Sequence, residues 1–109
     1  MDSVTLRLFA RIDLLPSREG GRQNALRGPI SYRPNHNFSD AANPEMCIGK
    51  IDLVEGQTLE PGASMDLELI LIARPELAQE LRVGRKWRLQ EGMHLVGWGT
   101  ILSMPGTED

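Results

Sequence analysis

A single cysteine, Cys47, stands in the 109 residues, so no disulfide can form within the chain, which suits a reducing compartment. No apolar run approaches the roughly 20 residues that a membrane-spanning helix requires. The start, Met1-Asp2-Ser3, lacks the basic-then-apolar layout of a secretory leader. A cytoplasmic location with no membrane partner is the expectation. The only histidines, His36 and His94, lie far apart, and with one thiol they offer no metal-ligand spacing. There is no Gly-x-x-x-x-Gly-Lys-Ser/Thr phosphate loop. Ser17, Ser31 and Ser39 lie in or near turns, but none sits in a Gly-x-Ser-x-Gly elbow. The sequence thus shows no catalytic machinery, and the protein is expected to be no enzyme, with no cofactor, no metal and no bound nucleotide.

What is present describes an ordinary globular chain. The hydrophobic fraction of 40% and charged fraction of 25% lie near the averages for folded domains. The length suits one core and not two, so a single domain is expected over residues 1–109. A net charge of −3 argues against a dedicated nucleic-acid binder, whose footprint is usually basic. The charges are unevenly placed: Arg7, Arg11, Arg18, Arg22, Arg27 and Arg33 face only Asp13 and Glu19 in the first third, whereas acidic residues dominate from Asp52 to Glu80. Such an asymmetry is either a solvated accident or one basic face on an acidic molecule.

Period-two alternation marks the strands. Leu6, Leu8, Ala10, Ile12 and Leu14 alternate with Arg7, Phe9, Arg11 and Asp13 until Pro16, and Glu19-Gly20-Gly21-Arg22 follows as a loop. Tyr32 to Phe38 forms a second strand that Pro34 confines to an edge or delays. After the Asn43-Pro44 loop come Cys47, Gly49, Ile51 and Leu53. Met65, Leu67, Leu69 and Leu71 give the clearest strand. Its alternation fades at Ile70 and Ile72, as though both faces were covered there. Pro75 to Arg82 holds the one helical candidate, a short turn inserted in a loop. Trp87 and Leu89, the Glu91-Gly92 turn and the stretch Leu95 to Met104 make a final hairpin, in which Gly97 and Gly99 suggest bulges or close backbone approach. Six short strands without alternating helices predict an all-β, six-stranded antiparallel closed barrel or a sandwich.

Several fragments then stand in a recognisable order. Ile12-Asp13-Leu14-Leu15-Pro16-Ser17-Arg18-Glu19-Gly20-Gly21-Arg22, Tyr32-Arg33-Pro34, Gly49-Lys50-Ile51 and Pro61-Gly62 resemble, in turn, segments of the third, C-terminal domain of elongation factor Tu. Trp87-Arg88-Leu89-Gln90-Glu91-Gly92, followed by Val96-Gly97-Trp98-Gly99, resembles that family's closing hairpin. The resemblance spans about Thr5 to Met104. The chain departs from the pattern at Met93 and His94, where the family has a glycine and an arginine, at Asn35, where it has a glutamine, and in a longer segment from Pro75 to Gly84.

The resemblance implies a free-standing closed barrel of bacterial type that binds in a translation-related context. The implied partner is a translation-type GTPase or a protein that normally recognises one; RNA of transfer-RNA type is the alternative. The residues it singles out are Arg22, Tyr32, Arg33, Glu91 and Gly92, expected to lie toward one functional surface. Arg33, held between Tyr32 and Pro34, is the side chain best placed to present its guanidinium at low entropic cost. Cys47 reads as a buried inert thiol. Trp87 and Trp98 read as core or barrel-end packing, and the carboxylates of Asp66 and Glu68 as one solvated strand face.

Overall fold

The computed structural model describes residues 2–39 and 46–104; the predicted Asn43-Pro44 loop lies outside them. Nine strands and one short helix follow in order: β1 (Val4–Leu14), β2 (Leu26–Arg27), β3 (Ile30–Tyr32), β4 (Asn35–Asn37), β5 (Cys47–Leu53), β6 (Thr58–Leu59), β7 (Ser64–Ala73), α1 (Pro75–Glu80), β8 (Lys86–Glu91) and β9 (His94–Ser103). The alternation read from the sequence governs the long strands. β1 buries Leu8, Ala10, Ile12 and Leu14, and β7 buries Leu67, Leu69, Leu71 and Ala73, with Arg7, Phe9 and Arg11 of β1 and Asp66, Glu68 and Ile72 of β7 turned outward because successive side chains of a strand take opposite faces.

The strands close on themselves. The hydrogen-bonded order β5-β4-β8-β9-β1-β7 returns to β5 through pairs running from Ile48↔Ile72 to Ile51↔Leu69, and every pairing is antiparallel. β3 and β4 both lie along β5, on either side of Arg33-Pro34. They form one strand interrupted where proline has no N–H to give, so the wall is a six-stranded antiparallel barrel. The short β2–β6 ribbon was not foreseen; it adds Leu26 and Leu59 to the same core. α1 starts with Pro75 in its first turn, Glu76 behind it, the arrangement that suits the positive end of a helix. No described helix is long and apolar enough to cross a membrane.

Two expectations need correction, those for Ile72 and Trp98, and some charges of the first third find partners. Register along β1 and β7 sets Arg11 opposite Asp66, with Nε to Oδ1 at 3.4 Å, and brings Arg7 to 3.6 Å from Glu68. Two arginines of the basic first third are therefore neutralised by the acidic β7, and Asp66 and Glu68 have cationic partners as well as solvent. Ile72 is not covered on the outer face: it is 43% exposed and pairs with Ile48, 69% exposed. The run of aliphatics there is an apolar patch on the barrel wall. Trp87 is core, but Trp98 is not; it lies half-buried on the outer face of β9, opposite Arg88.

Candidate functional site

The end of the barrel after β1 is built by a tight loop. Pro16 stops the strand, Ser17–Glu19 make one 3-10 turn, and Gly20 takes φ 94°, a conformation open to glycine and strained for other residues. Three backbone bonds hold the turn, Glu19 N–H to Pro16 O at 3.0 Å, Gly20 N–H to Ser17 O at 3.1 Å and Gly21 N–H to Pro16 O at 3.0 Å. The Ser17 hydroxyl donates to the Arg22 carbonyl at 2.6 Å. This folds the chain back on itself and delivers the Arg22 side chain to the barrel rim.

There Arg22 meets the ends of two strands. Tyr32, the last residue of β3, donates its hydroxyl to Oε2 of Glu91, the last residue of β8, at 2.5 Å. Arg22 Nη1 pairs with the same oxygen, and its guanidinium lies 5.1 Å from the centroid of the Tyr32 ring. Tyr32 is buried and the Arg22 side chain only 22% exposed. The electrostatics follow. Burial, and then the hydrogen bond to Glu91, push the Tyr32 hydroxyl well above its ordinary value. Burial works against the charged carboxyl of Glu91, yet the bonds from Tyr32 and Arg22 prevail and hold it below the usual range. Burial likewise opposes the charge of Arg22, and Glu91 overcomes it and raises the guanidinium further.

Around this triad the turn is tied down by its backbone. Gly92, at φ 62°, supplies the left-handed residue of the two-residue hairpin between β8 and β9. Its carbonyl accepts from Asn35 Nδ2 at 3.3 Å and from Gln90 Nε2 at 3.4 Å. The His94 ring Nε2 bonds the Gly20 carbonyl, joining the hairpin to the first loop. Met93 stands at the tip, 60% exposed.

Of the residues named from the sequence, Arg22, Tyr32 and Glu91 meet through their side chains, and Gly92 follows Glu91 in the turn with its carbonyl bonded to Asn35 and Gln90. Arg33 is exposed next to Tyr32 and, among the described residues, makes no hydrogen bond or ion pair. Asn35 and His94 were not among the residues singled out from the sequence, yet both bind this same loop end. The available signal was their position, each a short polar or aromatic donor beside a turn whose carbonyls need partners.

A second concavity, of about 380 Å³, opens near the far end of β5 and β7 and includes His36, Phe38, Cys47, Ile72 and Leu77 in its lining. His36 is fully buried, and burial pulls its pKa down to about 4, against a weaker opposite pull from the Gly49 backbone. Burial pushes the half-buried Cys47 thiol up, with Arg74 opposing it less strongly. A thiol kept protonated is a poor nucleophile. Among the described residues, no group of three or more His, Cys, Asp or Glu side chains is placed to hold a metal ion. No family model and no curated protein sequence matches the chain. Function is therefore read from the geometry and from the fragments quoted above.

Proposed function

We propose that this barrel is a non-enzymatic binding module, resembling the third domain of elongation factor Tu, that presents its Arg33 and Gly92-Met93 loop end to a protein partner. The partner class is a translation-type GTPase or a protein that normally recognises one. The observation that supports this reading is convergence. Arg22, Tyr32 and Glu91 come from three separate fragments of the sequence and close into one cluster, and Arg33, which follows Tyr32, and Met93, two residues after Glu91, are exposed. Glu91 serves as a buttress, since its carboxylate is already engaged by Arg22 and Tyr32. Recognition falls on Arg33, whose fork is unengaged, and on Met93, an apolar anchor on a fixed turn.

The test is capture of a translation-type GTPase, identified by mass spectrometry, on the immobilised protein from a lysate of the source cell, with and without nuclease. Arg33→Ala and Met93→Ala should each weaken that capture while leaving the melting temperature nearly unchanged, because both side chains are exposed. Capture that is untouched by both changes removes this surface from consideration. Capture that disappears with nuclease replaces the protein partner by RNA.

A further inference from the structure

The side wall formed by β8 and β9 carries a cluster that the loop end does not use. Arg88 and Lys86 sit two residues apart on the outer face of β8, and Trp98 lies opposite Arg88 on β9. The Arg88 guanidinium carbon is 4.9 Å from the Trp98 ring centroid, and Lys86 Nζ is 5.8 Å from it. Two cations thus share one indole. Stacking on a ring favours each of them, and among the described residues neither enters an ion pair that would offset their mutual repulsion. The Arg88 Nε is covered and has no hydrogen-bond partner. This sets the wall apart from its neighbour, where Arg7 and Arg11 of β1 are matched by Glu68 and Asp66 of β7.

An arginine stacked on an aromatic ring keeps its in-plane N–H edge free for a planar anion, which it takes in a bidentate fork. A phosphate track fits this wall less well. The two cations lie over the indole, where a nucleobase would have to stack. A carboxylate has two oxygens and can accept from two cations that stand this near one ring. We propose that the β8–β9 wall is a second contact surface, separate from the Arg33 loop end, that binds an acidic segment of a partner protein through a carboxylate shared by Arg88 and Lys86 beside Trp98.

The two tryptophans make the test direct. Trp87 is buried and its indole N–H is bonded inside the core, so the indole resonance of Trp98 can be followed alone, with Trp98→Phe to assign it. Titration with a capped hexaglutamate peptide is expected to move the Trp98 indole resonance saturably and leave that of Trp87 in place. The Lys86→Gln/Arg88→Gln double variant should bind the peptide about tenfold more weakly, with an unmoved Trp87 resonance showing that the barrel is intact, and Arg33→Ala should bind as the parent does. The proposal fails if the peptide leaves Trp98 unmoved. It fails equally if single-stranded oligouridylate binds there more tightly than the peptide, which makes the wall a nucleic-acid track, or if Trp98 responds to protein concentration alone, which makes it a contact between copies.

Discussion

Trp87 and His36 are bonded inside the barrel, Trp87 Nε1–H donating to His36 Nδ1 at 3.0 Å with ring centroids 6.2 Å apart. A buried indole N–H needs an acceptor, and meeting that need fixes the imidazole: Nδ1 accepts, so the ring is neutral and its proton sits on Nε2. Each ring also rests on a glycine. A side chain at Gly99 would enter the indole of Trp87, and one at Gly49 would meet the imidazole of His36. Phe38 stacks on the indole with centroids 5.0 Å apart.

Gly99→Ala should accordingly destabilise the fold. Its added carbon would lie 2.6 Å from Trp87 Cε2 and nearer still to the outer ring atoms, and overpacking of a close-packed core costs about 1–3 kcal/mol. Gly49→Ala, with His36 Nε2 at 2.8 Å and the Ile70 carbonyl at 3.0 Å, should act in the same direction. Denaturant unfolding measures both. The decisive comparison is non-additivity: in a Trp87→Phe background, Gly99→Ala should cost clearly less than in the parent. Equal costs in the two backgrounds would show that the indole is not what fills the space.

The buried imidazole also predicts how stability depends on acidity. His36 titrates near pH 4 in the folded protein because burial penalises its charged form, against 6.5 in an exposed state. Between those values the unfolded chain binds a proton that the folded one refuses, so stability is lost as the pH falls from about 6.5 toward about 4. The full difference amounts to about 3 kcal/mol. Glu91 is shifted in the same direction, but its contribution starts to be lost only as the pH falls below the ordinary carboxyl value of 4.5. Unfolding free energies measured at pH 7.5 and pH 5 should fall for the parent, and the fall should largely vanish in His36→Gln. A parent curve that is flat across this range would mean that His36 is solvated.

The barrel was legible because its long strands are buried on one face only, so β1, β5 and β7 announce themselves by alternation. The places where legibility failed share a cause: a partner distant in sequence decides what a residue does. Ile70 and Ile72 read as doubly covered because two consecutive outward positions are aliphatic, yet Ile72 is exposed. Trp98 read as packing because indoles usually are; its cross-strand neighbour Arg88 and the glycines on either side of it put it outside. Asn37 and Gln90 are polar residues in strand positions, and only the meeting of β4 and β8 shows them buried and bonded to one another at 2.9 Å. At the loop end, resemblance pointed to Arg22, Tyr32, Arg33, Glu91 and Gly92, but not to the triad, because the Arg22 pairing spans 69 residues and the Tyr32 bond spans 59.

The triad can be read through its phenol, since Tyr32 is the only tyrosine in the chain and the tyrosinate absorbance of the protein therefore belongs to it alone. Burial, followed by the hydrogen bond to Glu91, disfavours the phenolate and moves Tyr32 upward from its ordinary value of 10.0, while Arg22 pulls the other way. An alkaline titration should accordingly show the phenol still protonated at a pH where a free tyrosine is half ionised. Glu91→Ala deletes both the acceptor and the negative charge, so the midpoint should move down toward 10.0. Arg22→Gln removes the favourable cation, so the midpoint should move further up. The two signs separate specific contacts from simple burial, which would move neither variant. Trp87 fluorescence, followed in parallel, shows whether the barrel remains folded over the range used. The stability cost of Glu91→Ala should be modest, about 1 kcal/mol, because the carboxylate is 41% exposed and water replaces part of what is lost. An unchanged tyrosinate midpoint in Glu91→Ala would show that the Tyr32–Glu91 bond does not exist in solution, and with it would go the reading of Glu91 as the buttress of the loop end.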